Sequence, residues 1–404
     1  MSSKGSKAGG KSKGGKMASS KSANTKQVAF ADGSTLVRKL GETEEWTFSN
    51  NWIGEQKITI DIEESESVVL SHEGEESEES LTLTVPSLES QTLLVKKTSP
   101  YTFKFTIDLE PEEVELEDQR KFVEEKTPHI NKKVASTTQT ISNIPFEAMR
   151  TEDLIEVLSS AKGGTFVDPD FPPCDASLYD SVCGEYPYSK AVHWRRPHEF
   201  LNGKIELFEA GIEPFDIIKG DLDNGWFLSA LVALSENPSL IKRLFINKEF
   251  NPAGFYKVRV CKNGEWVVVT VDDYIPCYPN GGPMFTRGNG NELWVMLLEK
   301  AYAKVHGHYW TLNDGQVSDA LLDLTGCPTL QEDFDADDED DWEKFKDYDE
   351  KGYIITSYNT LDETVEGEDE NPSHAYTVIG VHEGEDDLKL VQVRDPFDCV
   401  EEDN

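Results

Sequence analysis

The segment IIKGDLDNGWFLSAL, residues 217–231, has the residue pattern in this chain that most suggests an active site. Charged residues and glycines lead through it into an apolar run that is typical of a buried helix. A nucleophile at such a junction would gain from the partial positive charge of the helix N-terminus, which favours an anionic side chain. Gly225 stands at the junction, so this position has no side chain that could act as a nucleophile.

The six cysteines are scattered, with neither zinc-site spacing nor the density of a disulfide framework. They are Cys174, Cys183, Cys261, Cys277, Cys327 and Cys399. We therefore expect free thiols in a reducing compartment. The sequence has no uninterrupted apolar run of about 18 residues and no apolar segment after its N-terminal lysines, so it indicates neither a membrane span nor a signal peptide. We expect a cytoplasmic protein.

The net charge of -38 is unevenly distributed along the chain. Residues 1–27 contain seven lysines and no acidic residue, whereas the remainder carries -45 and will repel nucleic acid. The Gly, Ser and Lys content of residues 1–27 predicts a disordered tail. This tail is either a solubilising leader or a polycation that binds an acidic surface, such as the tails of tubulin or an anionic membrane. Ser2 replaces the glycine that N-myristoylation requires, which excludes that anchor.

Residues 28–110 show a period-two pattern that predicts a small antiparallel β-sandwich. The runs KITIDI and LTLTV each offer one apolar and one polar face, as a half-buried sheet requires. Residues 111–145 are charged and then rich in Ser and Thr, which predicts a linker with one short helix.

The remaining chain predicts two α+β subdomains, residues 146–330 and 331–404. Helical spacing appears in EDLIEVLSSAKGG, WFLSALVALSENPSLIKRLF and NELWVMLLEKAYAKVHGHY. Strands are predicted for EWVVVTVDDYIP, GYIITSY, HAYTVIGV and LKLVQVRDPF. The run QEDFDADDEDD between them is predicted to be an acidic loop.

Several of these segments resemble the protease core of the calpain family (peptidase family C2) in order and spacing. They are GDLDNGWFLSALVAL, EWVVVTVDDYIP, NELWVMLLEKAYAKVHG and ALLDLTG, flanked by FVDPDFPPCDASLY and WRRPHEF upstream and by SHAYTVIGV and VRDPF downstream. The resemblance covers residues 146–404 and implies a papain-like core of two subdomains. Calpain cores continue further beyond VRDPF, so we expect the second subdomain to be partial.

The resemblance also assigns the catalytic positions. In calpains a cysteine at a helix N-terminus acts with a histidine, an asparagine that orients this histidine and a glutamine that helps to bind the oxyanion. These positions fall, in that order, on Gly225, His374, Asp395 and Lys219. Histidine alone is kept, so three of the four positions are changed.

The lost nucleophile decides what these changes mean. A missing oxyanion donor costs about 10²- to 10³-fold and an aspartate can still orient an imidazole, but covalent acyl transfer cannot begin without a nucleophile. Asp223 and Asn224 are poor nucleophiles, and Ser229 should point away from the cleft. We expect a pseudoprotease that acts as a scaffold or regulatory binding protein. The alternative is a residual calcium-dependent cysteine-type endopeptidase, or another hydrolase with a non-standard nucleophile.

Without a catalytic partner, the other conspicuous side chains acquire structural explanations. His374 then becomes a structural histidine between strands, and Trp226 and Phe227 become core residues. A lone histidine among dispersed acids is a poor zinc site. The family core binds calcium through carbonyl and carboxylate oxygens, and Glu292 lies in a segment that resembles one such loop. Calcium is therefore the one candidate cofactor, although no EF-hand pattern occurs and the acidic runs DADDEDD and ETVEGEDE are typical of solvated segments.

The N-terminal region resembles the domain that precedes the core in calpain-related proteins of kinetoplastid flagellates. The residues that carry this resemblance are FADGSTLVRKL and EEWTFSNNW. Together with the basic tail, it implies protein partners such as microtubules or other cytoskeletal proteins. The localisation expected from it is cytoplasmic, in association with the cytoskeleton or flagellum.

Overall fold

The computed structural model describes most of the chain in eleven segments. These are residues 25–29, 34–41, 43–62, 65–127, 130–141, 145–160, 165–180, 185–335, 338–358, 375–384 and 388–395. His374 and residues 396–398 lie outside these segments, as do residues 1–24 of the expected tail. The chain divides into two compact units. The first comprises residues 1–126 with 189–193 and 277–282, and the second comprises the remaining residues from 127 onward.

The first unit contains two antiparallel sheets, as the period-two pattern predicts. One has the strand order β1-β2-β3-β8-β5-β6 and the other the order β7-β4-β9. The strands are β1 Thr25–Ala29, β2 Thr35–Lys39, β3 Thr43–Ser49, β4 Gln56–Asp61, β5 Glu66–His72, β6 Glu75–Ser77, β7 Ser80–Val85, β8 Ser90–Thr102 and β9 Thr106–Pro111.

The apolar faces of both sheets meet in one core, which confirms the β-sandwich. Strand β7 alternates strictly between exposed and buried residues, and Trp46, Ile60 and Val95 are completely buried. The sandwich ends at Pro111, one residue beyond the predicted end. It begins at Thr25 rather than at residue 28, because TKQVA pairs with β2 from Thr25 opposite Lys39.

The segment 111–145 differs from the predicted linker because it holds two helices rather than one. Helix α1 spans Leu116–Lys126 and α2 spans Ile130–Ile141. Helix α1 is difficult to predict from apolar periodicity, because it has few apolar residues and buries only Gln119 among its described side chains. Gln119 joins α1 to its own unit, donating to the carbonyl of Val114 at 2.8 Å and accepting from the amide of Ala191 at 3.0 Å.

The chain from residue 151 to 394 alternates helices with short sheets of two or three strands, which confirms the α+β class. The helices are α3 Thr151–Ser160, α4 Gly225–Ser235, α5 Pro238–Lys242, α6 Trp294–His306, α7 Val317–Thr325 and α8 Glu339–Glu350. The strands are β10 His193–Arg195, β11 Phe255–Lys262, β12 Glu265–Asp272, β13 Ile275–Cys277, β14 Ile355–Tyr358, β15 Ala375–Glu383 and β16 Lys389–Arg394. Short 3-10 helices occupy Asp175–Ser177, Pro197–Glu199, Pro214–Asp216 and Tyr309–Asn313.

Helix α8 corrects the prediction that QEDFDADDEDD is a loop throughout. The helix begins at Glu339, inside the acidic run. The Asp338 side chain caps it by accepting from the backbone amides of Asp340 and Asp341. Acidic side chains in a first helical turn are stabilised by the helix dipole, so the like charges that suggested a solvated loop favour a helix start here.

Buried ion pairs connect α6 to the strands and loops around it in the second unit. The Lys300 ammonium lies 2.5 Å from the Asp272 carboxylate, and both side chains are fully buried. Two of the pairs involve α6 itself, Lys300–Asp272 and Lys304–Asp168. The third, Arg196–Asp273, joins the residue after β10 to the residue after β12. Removing one member of such a pair leaves an uncompensated charge in a low-dielectric interior, so these contacts fix how the elements of this unit pack.

Candidate functional site

Helix α4 begins at the residue that replaces the expected nucleophile. Gly225 is its first residue, and every residue from Phe227 to Ser235 is buried. The N-cap residue Asn224 makes no side-chain hydrogen bond to the helix. The helix N-terminus therefore keeps the partial positive charge that would stabilise a thiolate, but the sulfur is missing.

The approach to α4 is held against a neighbouring segment by backbone hydrogen bonds. Ile218 and Arg287 exchange two of these bonds, each 3.0 Å long, and the amide of Asp221 donates to the carbonyl of Met284 at 2.9 Å. A Cβ atom on Gly220 would overlap the backbone carbonyls of Met284 and Phe285. Glycine is thus required at position 220 by close packing, which fixes the direction in which the chain enters α4.

The two aromatic residues after Gly225 pack into the protein, as expected for core residues. Phe227 is completely buried and stacks on Tyr302 of α6, with 4.5 Å between ring centroids. Trp226 is half-buried, and its indole N–H donates to the carbonyl of Leu312 at 2.8 Å. Both side chains therefore anchor the first turn of α4 rather than project into solvent.

Ser229 links α4 to the strand that follows the candidate histidine. Its hydroxyl lies 2.9 Å from the carbonyl of Gly225 and 3.3 Å from the carbonyl of Ala375, the first residue of β15. His374 itself is not among the described residues. The contact places Ala375, at the start of β15, beside Ser229 of α4.

Asp395 and Lys219, the other two changed positions, lie in different surroundings. Asp395 is half-buried and directly follows Arg394, which pairs with Thr377 in the β15–β16 ladder. Lys219 is partly exposed, and its ammonium lies 3.4 Å from the Asp223 carboxylate. The positive charge of Lys219, at the expected oxyanion position, is thus paired with the Asp223 carboxylate.

None of the described serines or cysteines considered as replacement nucleophiles is placed for that role. Ser229 has no exposed surface, and its hydroxyl faces backbone carbonyls. Cys261 and Cys277 are buried on β11 and β13. The four cysteines in the described segments are free thiols, as predicted, while Cys183 and Cys399 lie outside those segments.

A buried carboxyl group behind the helix start was not identified from the sequence. Glu299 of α6 accepts a hydrogen bond from the Asn224 side chain at 2.8 Å and another from the Thr286 hydroxyl. Complete burial raises the pKa of Glu299 to about 7, although these hydrogen bonds oppose the rise. Glu299 lies 75 residues from Asn224, so no local pattern could have revealed this contact.

Glu292, the predicted calcium ligand, faces a second carboxyl group. Its side chain is completely buried, and its Oε1 atom has no hydrogen-bond partner. Burial and the nearby Asp216 carboxyl raise the pKa of Glu292 to about 9. Asp216 was missed in the sequence because 76 positions separate the two residues. Two buried carboxyl groups, one with an orphaned oxygen, have the chemistry that a hard cation prefers.

The loop beside Glu292 is also shaped unusually. The amide of Glu209 lies 3.4 Å from Glu292 Oε2, and the next two residues have positive φ angles, 55° for Ala210 and 140° for Gly211. Within the described segments, however, no group of three or more His, Cys, Asp and Glu side chains is arranged to hold a metal. Any cation here would depend on backbone carbonyls or water for its remaining ligands.

The fold and the helix-strand arrangement agree with comparisons to known proteins. The family model described as calpain family cysteine protease matches residues 166–403. Because this match covers more than half of the 404 residues, the chain belongs to the calpain family. The match begins after the N-terminal sandwich.

Individual relatives are calpain-type proteins from plants and animals. The chain is 38% identical over 271 residues to the calpain-type cysteine protease DEK1 of Arabidopsis thaliana, covering 62% of this chain and 12% of the relative. It is 37% identical over 254 residues to the calpain-type cysteine protease ADL1 of Oryza sativa, covering 59% of this chain and 12% of the relative. It is 29% identical over 269 residues to Calpain-9 of Homo sapiens, covering 63% of this chain and 37% of that protein. The chain therefore matches well under half of the length of each relative.

Proposed function

We propose that this chain is a calpain-family protein that binds other proteins without cleaving them. The observation that carries the proposal is Gly225 as the first residue of α4. Peptide cleavage by this family's chemistry requires a covalent bond between the substrate carbonyl and a side chain at this position. Glycine offers no atom that can form such a bond.

The surroundings of Gly225 support retention of the fold rather than its decay. Gly220 still fits against its neighbouring carbonyls, and Ser229 still joins α4 to β15. Loss of a nucleophile leaves such packing unchanged, so the chain can keep a surface that binds a peptide without cleaving it. We therefore propose a scaffold or regulatory binding protein.

A comparison of the wild-type chain with Gly225→Cys tests the absence of catalysis. Both proteins are incubated with calcium and denatured casein, and then with a thiol-directed probe of cysteine peptidases. We expect no cleavage and no probe labelling of the wild-type chain. In the Gly225→Cys variant the new thiol lies at a helix N-terminus, which lowers its pKa, so we expect this protein to react with the probe.

Gly225→Ala is the matched control, because it changes the same position without adding a nucleophile. It should behave as the wild-type chain does. Casein cleavage by the wild-type chain that thiol reagents abolish would contradict the proposal and favour the residual cysteine endopeptidase. Cleavage that resists thiol reagents but stops with a chelator would favour a different hydrolase.

A second candidate function is calcium binding without catalysis. It is favoured by the buried Glu292 carboxyl, whose Oε1 atom has no partner and which faces Asp216. Because the pKa of Glu292 is raised to about 9, a cation at this point would displace its proton and then neutralise the carboxylate beside Asp216. Calorimetric titration with calcium should give saturable binding that Glu292→Gln weakens. Absence of a heat change in the wild-type chain would remove this function while leaving the proposed binding protein in place.

We also propose that the protein works in the cytoplasm in association with the cytoskeleton. The support is the run of lysines in residues 1–27 and the resemblance of the N-terminal region. In the described segments, no helix is long and apolar enough to cross a membrane. A tagged copy imaged before and after detergent extraction tests the association. Complete extraction of the tagged protein would argue against it.

A further inference from the structure

Four basic residues near helix α5 form an exposed cluster without acidic partners. The cluster, called the basic patch here, consists of Lys242, Arg243, Lys248 and Arg259. All four are exposed, and in the described part of the chain none of them forms an ion pair. The chain carries 77 acidic and 39 basic residues. Four neighbouring cations that all lack a carboxylate partner are therefore unexpected in this protein.

Backbone contacts place these residues together. The Lys248 ammonium donates to the carbonyls of Lys242 and Phe245. The amide of Arg259 donates to the carbonyl of Leu244 at 2.7 Å. Burial, and then the charge of Arg259, lower the pKa of Lys248. The segment after α5 and strand β11 thus bring the four positive charges onto one surface.

Two of the four cations have a structural role, and two do not. Lys248 caps the end of α5, and Arg243 donates to the carbonyl of Thr325 at the end of α7 at 3.2 Å. Positive side chains at helix C-termini stabilise the helix dipole, which accounts for these two residues. In the described segments the side chains of Lys242 and Arg259 make no hydrogen bond and no ion pair, so folding does not explain them.

Exposed aromatic side chains flank the basic patch. Arg259 pairs with Val268 and Cys261 pairs with Trp266 in the β11–β12 ladder, so Arg259 and Trp266 lie on the same face of the hairpin as diagonal neighbours. The Trp266 side chain is 49% exposed. Phe250, two residues after Lys248, is 39% exposed. Apolar surface beside unpaired cations is typical of a site that binds a polypeptide.

From this arrangement we infer that the basic patch is a docking surface for an acidic peptide segment of a partner protein. Carboxylates of the segment pair with Lys242 and Arg259, and an apolar side chain of the segment packs against Trp266. The patch shares no residue with the N-terminus of α4. The inference therefore stands whether or not the chain cleaves peptide bonds.

An acidic peptide fits this surface better than nucleic acid or an anionic membrane. With a net charge of -38, the protein repels extended, densely charged polyanions over their whole length. At physiological ionic strength, charges separated by more than about 8 Å are largely screened. A short segment that contacts only the patch consequently experiences the four local cations rather than the charge of the whole protein.

The test is a fluorescence anisotropy titration of the full chain with a fluorescein-labelled polyglutamate peptide that contains leucine. We expect saturable binding that weakens as salt is added, and no binding of the same peptide with glutamine in place of glutamate. The double variant Lys242→Glu/Arg259→Glu should bind at least about tenfold more weakly, since opposing charges are replaced by like charges. Trp266→Ala should weaken binding by a smaller factor.

The matched control is Lys132→Glu/Lys133→Glu, which makes the same change in charge on two exposed lysines of α2. It should retain most of the affinity, because these lysines lie outside the patch. Circular dichroism of each variant establishes that it is folded. Equal loss of affinity in both double variants, or no saturable binding of the polyglutamate peptide, would overturn the inference. Tighter binding of duplex DNA or phosphatidylserine vesicles than of the peptide would also overturn it.

Discussion

The N-terminus of α4 and the buried ion pairs around α6 belong to the same unit, yet they differ in what they retain. At the start of α4 the position expected to carry the nucleophile has no side chain. Around α6, Lys300, Lys304 and Arg196 each have a carboxylate partner. These three buried cations are paired, whereas the position that we propose for the nucleophile carries no side chain.

If the proposal is right, this difference teaches that the residues that stabilise the fold and the residue that would perform catalysis can be lost separately. Losing a nucleophile costs a protein no packing, but losing one member of a buried ion pair leaves an unpaired charge. A chain that keeps costly buried pairs without the nucleophile has the properties expected of a binding protein on a protease fold. The comparison can be tested by variants at each place.

The largest effect should come from Lys300→Met, which leaves Asp272 buried without its partner. We expect the free energy of unfolding to fall by about 3–5 kcal/mol, the usual cost of breaking a buried ion pair. Urea unfolding followed by circular dichroism measures the change. The control is Lys346→Met, whose ion pairs with Glu343 and Glu383 are at the surface and should matter much less. Similar losses in both variants would mean that burial does not make the loss of an ion-pair partner more costly in this protein.

The next effect concerns Glu299, which is on α6 and accepts a hydrogen bond from Asn224, the N-cap residue of α4. It therefore links the two regions that are compared. Its folded-state pKa of about 7 lies above the ordinary value of 4.5. A raised pKa contributes stability that is present below pH 4.5 and is lost as the pH rises through about 7. The Glu299→Gln side chain does not titrate, so the variant does not suffer this loss. The free energy of unfolding of the variant minus that of wild type should therefore increase by on the order of 2–3 kcal/mol as the pH is raised from 5 to 8.

Unfolding of both proteins across this pH range gives the difference directly. Other carboxyl groups with raised pKa values, such as Asp168 at about 6, contribute equally to both proteins and cancel. A difference between Glu299→Gln and wild type that does not change with pH would show that Glu299 is not the group responsible.

Gly315→Ala should have an intermediate effect on the packing of the first turn of α4. A Cβ atom at Gly315 would overlap the ring of Trp226. We expect a destabilisation of about 1–3 kcal/mol, typical of overpacking, and a change in tryptophan fluorescence. Gly282→Ala is the control, because a Cβ atom there meets nothing within 4 Å. Unchanged fluorescence would mean that Trp226 is less tightly held than the structure indicates.

The smallest effect should come from Gly225→Ala, at the position that we propose for the nucleophile. Glycine at the start of a helix is replaced by a better helix former, but an effect of less than about 0.5 kcal/mol is expected because only the first residue is changed. Thermal unfolding measures it. A large loss of stability would mean that glycine is required for packing at this position, and that the absent nucleophile has a structural cause.

Much of the architecture was predictable because its signals are local. The period-two runs predicted the sandwich, and helical spacing predicted α3, α4 and α6. One helix was predicted in residues 111–145 where two exist, and α8 was predicted to be a loop, because the charged residues of α1 and α8 carry little apolar periodicity. They form because capping and tertiary contacts, such as those of Gln119, outweigh composition.

The candidate site was predictable only where its residues are neighbours in the sequence. The motif around Gly225 is contiguous in sequence, so the prediction that Gly225 occupies the nucleophile position rests on local residues alone. The pairs Glu292–Asp216 and Glu299–Asn224 bring together residues more than 70 positions apart. Such contacts follow from the folded topology and have no local pattern. Only the structure could show that both carboxyl groups are buried and protonate more readily than usual.

The burial of α4 has a consequence for biosynthesis. The helix is apolar on nearly all sides and lies against β15, which follows 146 residues after Ser229. At about 5–20 residues per second, a ribosome needs on the order of 10–30 s to add that length. During this time α5 and α7, which also pack against α4, can form, but the face of α4 that meets β15 stays exposed. Expression of this protein should therefore depend on chaperones that bind apolar segments until β15 has been made.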